Sequence, residues 1–158
     1  MSAELQTAGR SELATLLIPV NGKQLVLPNV TVAEIIPFSE PEPADDLPNW
    51  FLGFFPWRTI RVPLVNFEAI NDEPFAGSTR SRRIAVLNGL TGDPRLPFCG
   101  LVTQGVPRLM RIMPDEIATD EEAIVGPAEV CRVLVSGERA AIPDVDFILQ
   151  EVLSLNLL

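Results

Sequence analysis

Short apolar runs alternate with polar segments rich in Pro and Gly along most of this chain of 158 residues. The first pair of runs, ATLLIPV and KQLVLP, flanks Asn21 and Gly22. Asn-Gly accepts the positive φ angles that a type I′ turn requires, so the pattern predicts a β-hairpin. Residues 1–12 show no apolar period and predict a flexible N-terminal arm, followed by one domain over residues 13–158.

The next run, NVTVAEIIPF, has the alternation of a strand. A period of two places Val32, Glu34 and Ile36 on one face and Ala33 and Ile35 on the other. Glu34 is therefore a carboxylate on a mainly apolar face. It lies either in water at the rim of the sheet or beside an Arg at a contact surface, because an unpaired buried charge is costly.

The most aromatic part of the chain is PNWFLGFFPWRTIRVPLVNF, residues 48–67, in which Trp and Phe stand beside two Arg. Asn49 predicts the cap of a short helical turn that ends at Gly53. The strand that follows carries Pro63, which has no amide hydrogen to donate, so we expect an edge or a bulged strand. Large rings dominate protein cores, and we interpret most of this segment as core with Arg58 as a contact.

Two polar segments separate these strands from the rest. Residues 39–49, the acidic loop, read SEPEPADDLPN and predict an exposed connection with no calcium-binding spacing. The second segment ends in the only basic cluster, which is either a solvated strand entrance or a docking patch for an acidic partner. The cluster consists of Arg80, Arg82 and Arg83.

Further apolar runs predict about eight to ten strands in total. The last run follows Asp144, a plausible N-cap, and its apolar residues have a helical period. These residues are Phe147, Ile148, Val152 and Leu153. The fold class is therefore all-β, with one C-terminal helix.

Composition narrows the function. A net charge of −9 argues against nucleic-acid binding, which depends on clustered cations. No apolar run approaches the ~20 residues of a membrane span, and the acidic segment MSAELQTAGRSELA is unlike a secretory signal, so we expect a cytoplasmic protein that is not inserted in a membrane. The chain has no His, no Tyr and no phosphate-binding or hydrolase motif. We therefore expect no enzyme, no metal and no cofactor, with Cys99 and Cys131 as buried free thiols.

The order of four segments resembles the CheW-like domain over nearly the whole chain: LPNVTVAEII, LPNWFLGFFPWRTIRVPLVNFEAI, CGLVTQGVPRLMRI and GERAAIPDVDFILQ. This resemblance implies two small five-stranded SH3-like barrels around a shared hydrophobic core. It also implies a non-catalytic adaptor that couples the cytoplasmic tip of methyl-accepting chemoreceptors to the regulatory domain of a CheA-type histidine kinase. The segment W-F-L-G-x-x-x-W-R looks most like the ChpC branch, which implies control of type IV pili and twitching motility.

The resemblance also implies the partner-binding residues. Val32, Glu34 and Ile35 match the strand that contacts the kinase in this family. Arg58 matches the Arg of the N-x-R-G signature, and Trp57 and Thr59 on either side of it are expected to share the contact. Leu101, Val102 and Val106 match the strand pair that borders the receptor-binding groove.

Two departures from the family pattern lead to further expectations. Thr59 stands where the family has Gly, and a β-branched residue resists positive φ, so we expect a different turn geometry after Arg58. Gln104 replaces an acidic residue, which puts one charged contact in doubt. The alternative function is a self-associating β-barrel module without a kinase partner, with Trp50, Phe54, Phe55 and Trp57 as the core of a dimer.

Overall fold

The structure is a computed structural model that describes residues 12–74, 80–89 and 92–158. All of the predicted N-terminal arm except Glu12 lies outside the described residues. The strands are β1 (Leu13–Val20), β2 (Lys23–Pro28), β3 (Val32–Pro37), β4 (Phe51–Trp57), β5 (Ile60–Val65), β6 (Arg83–Asn88), β7 (Phe98–Thr103), β8 (Arg108–Ile112), β9 (Ile117–Thr119), β10 (Glu129–Val135) and β11 (Glu138–Pro143). The helices are α1 (Phe67–Ile70) and α2 (Val145–Leu153), with 3-10 turns at Asn29–Thr31 and Pro114–Glu116.

The strands form two sheets. The ends of the chain supply a six-stranded sheet of order β8-β1-β2-β11-β10-β9, and the middle supplies a five-stranded sheet of order β3-β6-β7-β5-β4. The mainly β architecture is confirmed. The expected count of five strands holds for the second sheet alone, because β9 adds a short sixth strand to the first by pairing with β10.

Three apolar clusters explain why so many strands are apolar on both faces. On β6, Ile84 and Val86 point into the interior of the five-stranded sheet, whereas Ala85 and Leu87 point into a cluster shared with the other sheet. The six-stranded sheet has its own interior, which includes Leu17. Because successive side chains alternate between faces, one strand serves two cores. The predicted shared core is confirmed.

A buried ionic network joins the two sheets. Lys23 on β2 places Nζ 2.5 Å from Glu73 Oε2, beyond α1, and 3.5 Å from Glu129 Oε2 on β10. Asn71 donates from Nδ2 to both Glu73 and Glu129. Arg132 Nε lies 2.6 Å from Glu129 Oε1, so the network contains two cations and two carboxylates. Lys23 and Glu129, the two members of this network with fully buried side chains, therefore each have charged partners.

Local signals at the turns and at α2 are mostly confirmed. The β1–β2 hairpin forms as predicted, but φ is positive at Gly22 (77°) and not at Asn21, so the predicted type I′ geometry is wrong. Asp144 caps α2, accepting from Phe147 N at 3.0 Å. The buried face of α2 includes the predicted Ile148 and also Leu149, which the predicted stripe omitted.

Two predictions in the aromatic segment are wrong. The residues expected to form a helical turn before Gly53 instead begin β4 at Phe51, because they pair with β5 across a bulge between Phe51 and Gly53. The strand carrying Pro63 is internal, since β5 lies between β7 and β4. Its pairing with β7 involves only Leu64 and Val65, so the missing amide hydrogen of Pro63 lies beyond that ladder.

Candidate functional site

Two edge strands of the five-stranded sheet meet through side chains. β3 and β4 stand at opposite ends of the strand order, yet Trp57 Nε1 donates to Glu34 Oε1 at 2.9 Å. The sheet therefore curls until its two edges face each other, and this hydrogen bond spans the gap. Arg58 Nη2 lies 3.3 Å from the same carboxylate oxygen. We call Glu34, Trp57 and Arg58 the closure group.

Trp57 is the fixed member of the closure group. It is 6% exposed, and its ring meets Phe98 edge to face at 4.6 Å between centroids. The guanidinium of Arg58 lies over the indole, 4.5 Å from its centroid. The side chains of Arg58 and Glu34 are 66% and 43% exposed. A buried ring therefore holds a solvent-accessible ion pair in one place, in a geometry that favours a cation–π contact.

The turn after Trp57 also positions Arg58. Trp57 pairs with Ile60, so Arg58 and Thr59 form a two-residue hairpin loop. Their φ angles are 47° and 67°, both in the left-handed region. We expected a different turn geometry because a β-branched residue resists positive φ, but Thr59 adopts a positive φ because the hairpin imposes this conformation. A residue with a Cβ pays for it with ~1–2 kcal/mol of strain.

A bulge in β3 brings Glu34 to this gap. Val32 pairs with Leu87 and Glu34 with Val86, so Ala33 is an extra residue that breaks the simple alternation. Val32 and Ile35 both pack against the shared core, although the period of two placed them on opposite faces. Glu34 combines the two alternatives considered for it, since it is exposed at the sheet edge and also paired with an Arg.

Comparison with models of protein families identifies the family of this chain. The model of the CheW-like domain matches residues 14–153. The chain belongs to the CheW-like family. The scaffolding protein TtCheW from Thermoanaerobacter tengcongensis has a similar structure, with a TM-score of 0.71 at 12% sequence identity over 84% of each chain. No curated protein sequence matches the chain significantly.

Family membership establishes the broad function. CheW-like proteins are non-catalytic scaffolds of chemotaxis signalling, and this chain has their fold. In the described part of the chain, no helix is long and apolar enough to cross a membrane. Nor do the described residues contain a group of three or more His, Cys, Asp or Glu side chains placed to hold a metal ion.

The predicted partner-binding residues of this CheW-like protein do not all reach the surface. Leu101 is 0% exposed in the shared core, and Val102 is 2% exposed inside the five-stranded sheet. Their side chains support the surface from beneath and offer no contact area to a partner. Val106 is 57% exposed, but it precedes β8 of the other sheet and is separate from the closure group. Thr59 is exposed beside Arg58.

The basic cluster is partly engaged within the protein. Arg82 stacks on Phe38, with 3.8 Å from Cζ to the ring centroid. Arg83 donates from Nη1 to the backbone carbonyls of Ser81 and Arg82. Arg80 is exposed. The strand entrance is therefore shaped by these side chains and is not a uniform patch of free cations.

Sequence reasoning missed the contacts of the acidic loop. Glu42 pairs with Phe54 on β4, and its carboxylate lies 3.9 Å from Arg61, which in turn stacks on Phe54 at 4.2 Å. The segment therefore forms sheet contacts although its composition predicted only an exposed connection. The one local signal was Gly53 within an otherwise bulky strand, which is typical of a close approach by another backbone.

Proposed function

We propose that this CheW-like protein is an adaptor that couples the cytoplasmic tip of methyl-accepting chemoreceptors to the regulatory domain of a CheA-type histidine kinase. The observation that carries the proposal is the closure group, in which a buried Trp57 holds the exposed pair of Glu34 and Arg58. A preorganised cation and carboxylate reduce the entropy lost when a protein partner binds. Val32 and Ile35 lie on the same strand and are half-buried against the shared core, so we propose that only their exposed parts contribute to the contact.

We assign the protein to the cytoplasm and to the chemosensory control of type IV pili and twitching motility. The support is the likeness of residues 50–58 to the ChpC branch. Deletion of the gene in the source organism should reduce twitching zones, and restoring the wild-type gene should recover them. Normal twitching with impaired swimming chemotaxis would point to a general chemotaxis adaptor instead.

The adaptor function is tested by binding. Purified protein should bind the kinase regulatory domain or a receptor-tip fragment in calorimetry, and Arg58→Ala and Glu34→Lys should each weaken this by about tenfold or more, a change of ~1.4 kcal/mol. Arg95→Ala is the matched control, because Arg95 forms an exposed pair with Asp93 outside the closure group. Unchanged binding in both site variants refutes the site, and no binding by the wild type refutes the function.

Self-association through the aromatic segment receives less support. Phe54, Phe55 and Trp57 are 7%, 1% and 6% exposed, so their rings are already buried within one chain. Trp50 is half-buried. A dimer core would need these rings to leave their own sheet. Light scattering over a range of concentrations tests this alternative, which requires a mass that rises with concentration.

A further inference from the structure

The acidic loop covers the free edge of β4 through backbone hydrogen bonds. Glu42 N donates to Phe54 O at 2.8 Å, and Phe54 N donates to Glu42 O at 3.2 Å. This isolated antiparallel bridge lies on the outermost strand of the five-stranded sheet. The loop therefore pairs with the edge as an added strand would, at a single position.

Gly53 makes this approach feasible. A Cβ at Gly53 would lie 2.0 Å from the carbonyl oxygen of Glu42 and 3.4 Å from Pro41 Cβ. The φ angle of Gly53 is 126°, which side-chain-bearing residues rarely adopt. β4 is thus built to accept a second backbone segment at this point.

The side chains around the bridge define the chemistry of the occupant. The guanidinium of Arg61 lies over the ring of Phe54 and 3.9 Å from the Glu42 carboxylate, and the side chains of Arg61 and Glu42 are 62% and 73% exposed. A cavity of about 370 Å³ lies beside the bridge, between Pro41 on the loop and Phe55 and Pro56 on the strand. An exposed ion pair contributes only ~0–1 kcal/mol, so the pair of Arg61 and Glu42 adds little to the attachment of the loop.

We propose that the edge of β4 at Gly53 and Phe54 is a strand-addition site for an extended, acidic, Pro-containing segment of a partner protein. The acidic loop is its resident occupant and shows which contacts such a segment makes: backbone pairing at Phe54 and a carboxylate at Arg61. The strand side of the cavity, formed by Phe54, Phe55, Pro56 and Arg61, stays in place when the loop leaves and can contact one further side chain of the partner. Main-chain pairing gives affinity in such sites, and the flanking pockets give specificity.

The acidic loop must leave the edge of β4 before a partner segment can bind there. A tethered segment has an effective concentration in the millimolar range, so a free peptide with the same contacts competes poorly with it. A partner displaces the loop when it makes more contacts than the loop does with the strand side of the cavity. The proposal does not depend on the adaptor function, since it uses none of the residues of the closure group.

The test removes the resident occupant. Residues 40–47 are replaced by a Gly/Ser segment of the same length, and the probe is a synthetic peptide of residues 38–47, FSEPEPADDL. NMR titration should show saturable shifts at Phe54 and Arg61 in the loop-replaced variant. In the wild type, at equal peptide concentration, they should be at least about tenfold smaller because of the tether. A peptide with Lys in place of Glu40 and Glu42 should bind more weakly.

Two further variants keep the outcome decisive. In the loop-replaced background, Gly53→Ala should abolish peptide binding, whereas Gly137→Ala, at a glycine with positive φ and open space around it, should leave it unchanged. Absence of saturable shifts in a folded loop-replaced variant overturns the proposal. Concentration-dependent dimerisation of that variant without peptide binding also overturns the proposal. In that case the loop covers the edge of β4 and prevents it from pairing with a second copy of the protein. If loop replacement prevents folding, the peptide is titrated instead into the Glu42→Ala variant, whose loop has lost the contact with Arg61. Peptide binding to this variant that is no tighter than binding to the wild type then refutes the proposal.

Discussion

Replacing Thr59 by Gly should stabilise the protein, because Thr59 occupies a backbone conformation that suits Gly. Its φ angle is 67° in the two-residue turn between Trp57 and Ile60. A left-handed conformation costs a residue with a Cβ ~1–2 kcal/mol. Gly removes this strain. It also increases the conformational entropy of the unfolded chain, which lowers the stability of the folded state by ~0.4–1 kcal/mol. The hydroxyl contact to the carbonyl of Arg58 is exposed and adds little.

The net gain in the free energy of unfolding is therefore about 1 kcal/mol, or roughly 2–4 °C in Tm for a chain of this size. Equilibrium urea unfolding measures it directly. The midpoint should rise while the slope stays constant, because the surface exposed on unfolding does not change.

The matched control is Gly137→Thr. Ser136 and Gly137 have φ angles of 49° and 84° in the equivalent turn between β10 and β11. No heavy atom lies within 4 Å of a Cβ built on Gly137, so this substitution changes backbone strain without a clash. Gly137→Thr should lower the free energy of unfolding by about as much as Thr59→Gly raises it. A stability of Thr59→Gly equal to or below that of the wild type, with Gly137→Thr destabilised as expected, would refute the strain assigned to Thr59.

Three other predictions follow from buried or capping groups. Asp144→Ala should lower the free energy of unfolding by ~1 kcal/mol through loss of the cap of α2, with a smaller loss in Asp146→Ala; equal losses in urea unfolding would contradict this. Burial raises the pKa of the Cys99 thiol to about 12. Maleimide at pH 8 should therefore label no cysteine other than Cys131 rapidly in the native protein. Rapid labelling of the Cys131→Ser variant would contradict this. Burial alone would raise the pKa of Glu129, but hydrogen bonds from Arg132 and Gly126 outweigh it and lower that pKa below its ordinary 4.5. The stabilisation from Glu129 is therefore present above pH 4.5 and is lost as the pH falls below it. Glu129→Gln should show a weaker loss of stability on acidification, and an unchanged acid dependence would count against the assignment.

The sequence was most informative where a structure depends on adjacent residues. The cap at Asp144 and the hairpin at Asn21 and Gly22 are set by local geometry, and both form, although the hairpin lacks the predicted type I′ turn. The bulge at Ala33 was not predictable from local alternation, because it exists only in the register between β3 and β6. The burial of Leu101 likewise depends on a second sheet that covers the outer face of β7.

Gly53 shows how a local signal can be assigned to the wrong cause. A Gly after a few helix-compatible residues predicts a helix end, and this was the interpretation from the sequence alone. In the structure, the same Gly provides space for the carbonyl of Glu42, 11 residues earlier in the chain (53 minus 42). Long-range contact between an acidic loop and an aromatic strand has no periodic signature, so composition assigned the loop to solvent.

The energetics of the closure group explain why Arg58 and Glu34 can be tested apart from folding. Their side chains are 66% and 43% exposed and lie 3.3 Å apart, and an exposed pair of this kind contributes only ~0–1 kcal/mol to stability. Trp57 is different, because its buried ring contacts Phe98 and its loss would open the core of the five-stranded sheet. Arg58→Ala should therefore change partner binding while leaving the unfolding midpoint nearly constant, and Glu34→Lys, which also removes the acceptor of Trp57 Nε1, should lower the midpoint modestly without unfolding the domain. The same loss of binding in Trp57→Ala would not distinguish contact from misfolding, so the two charged residues carry the test.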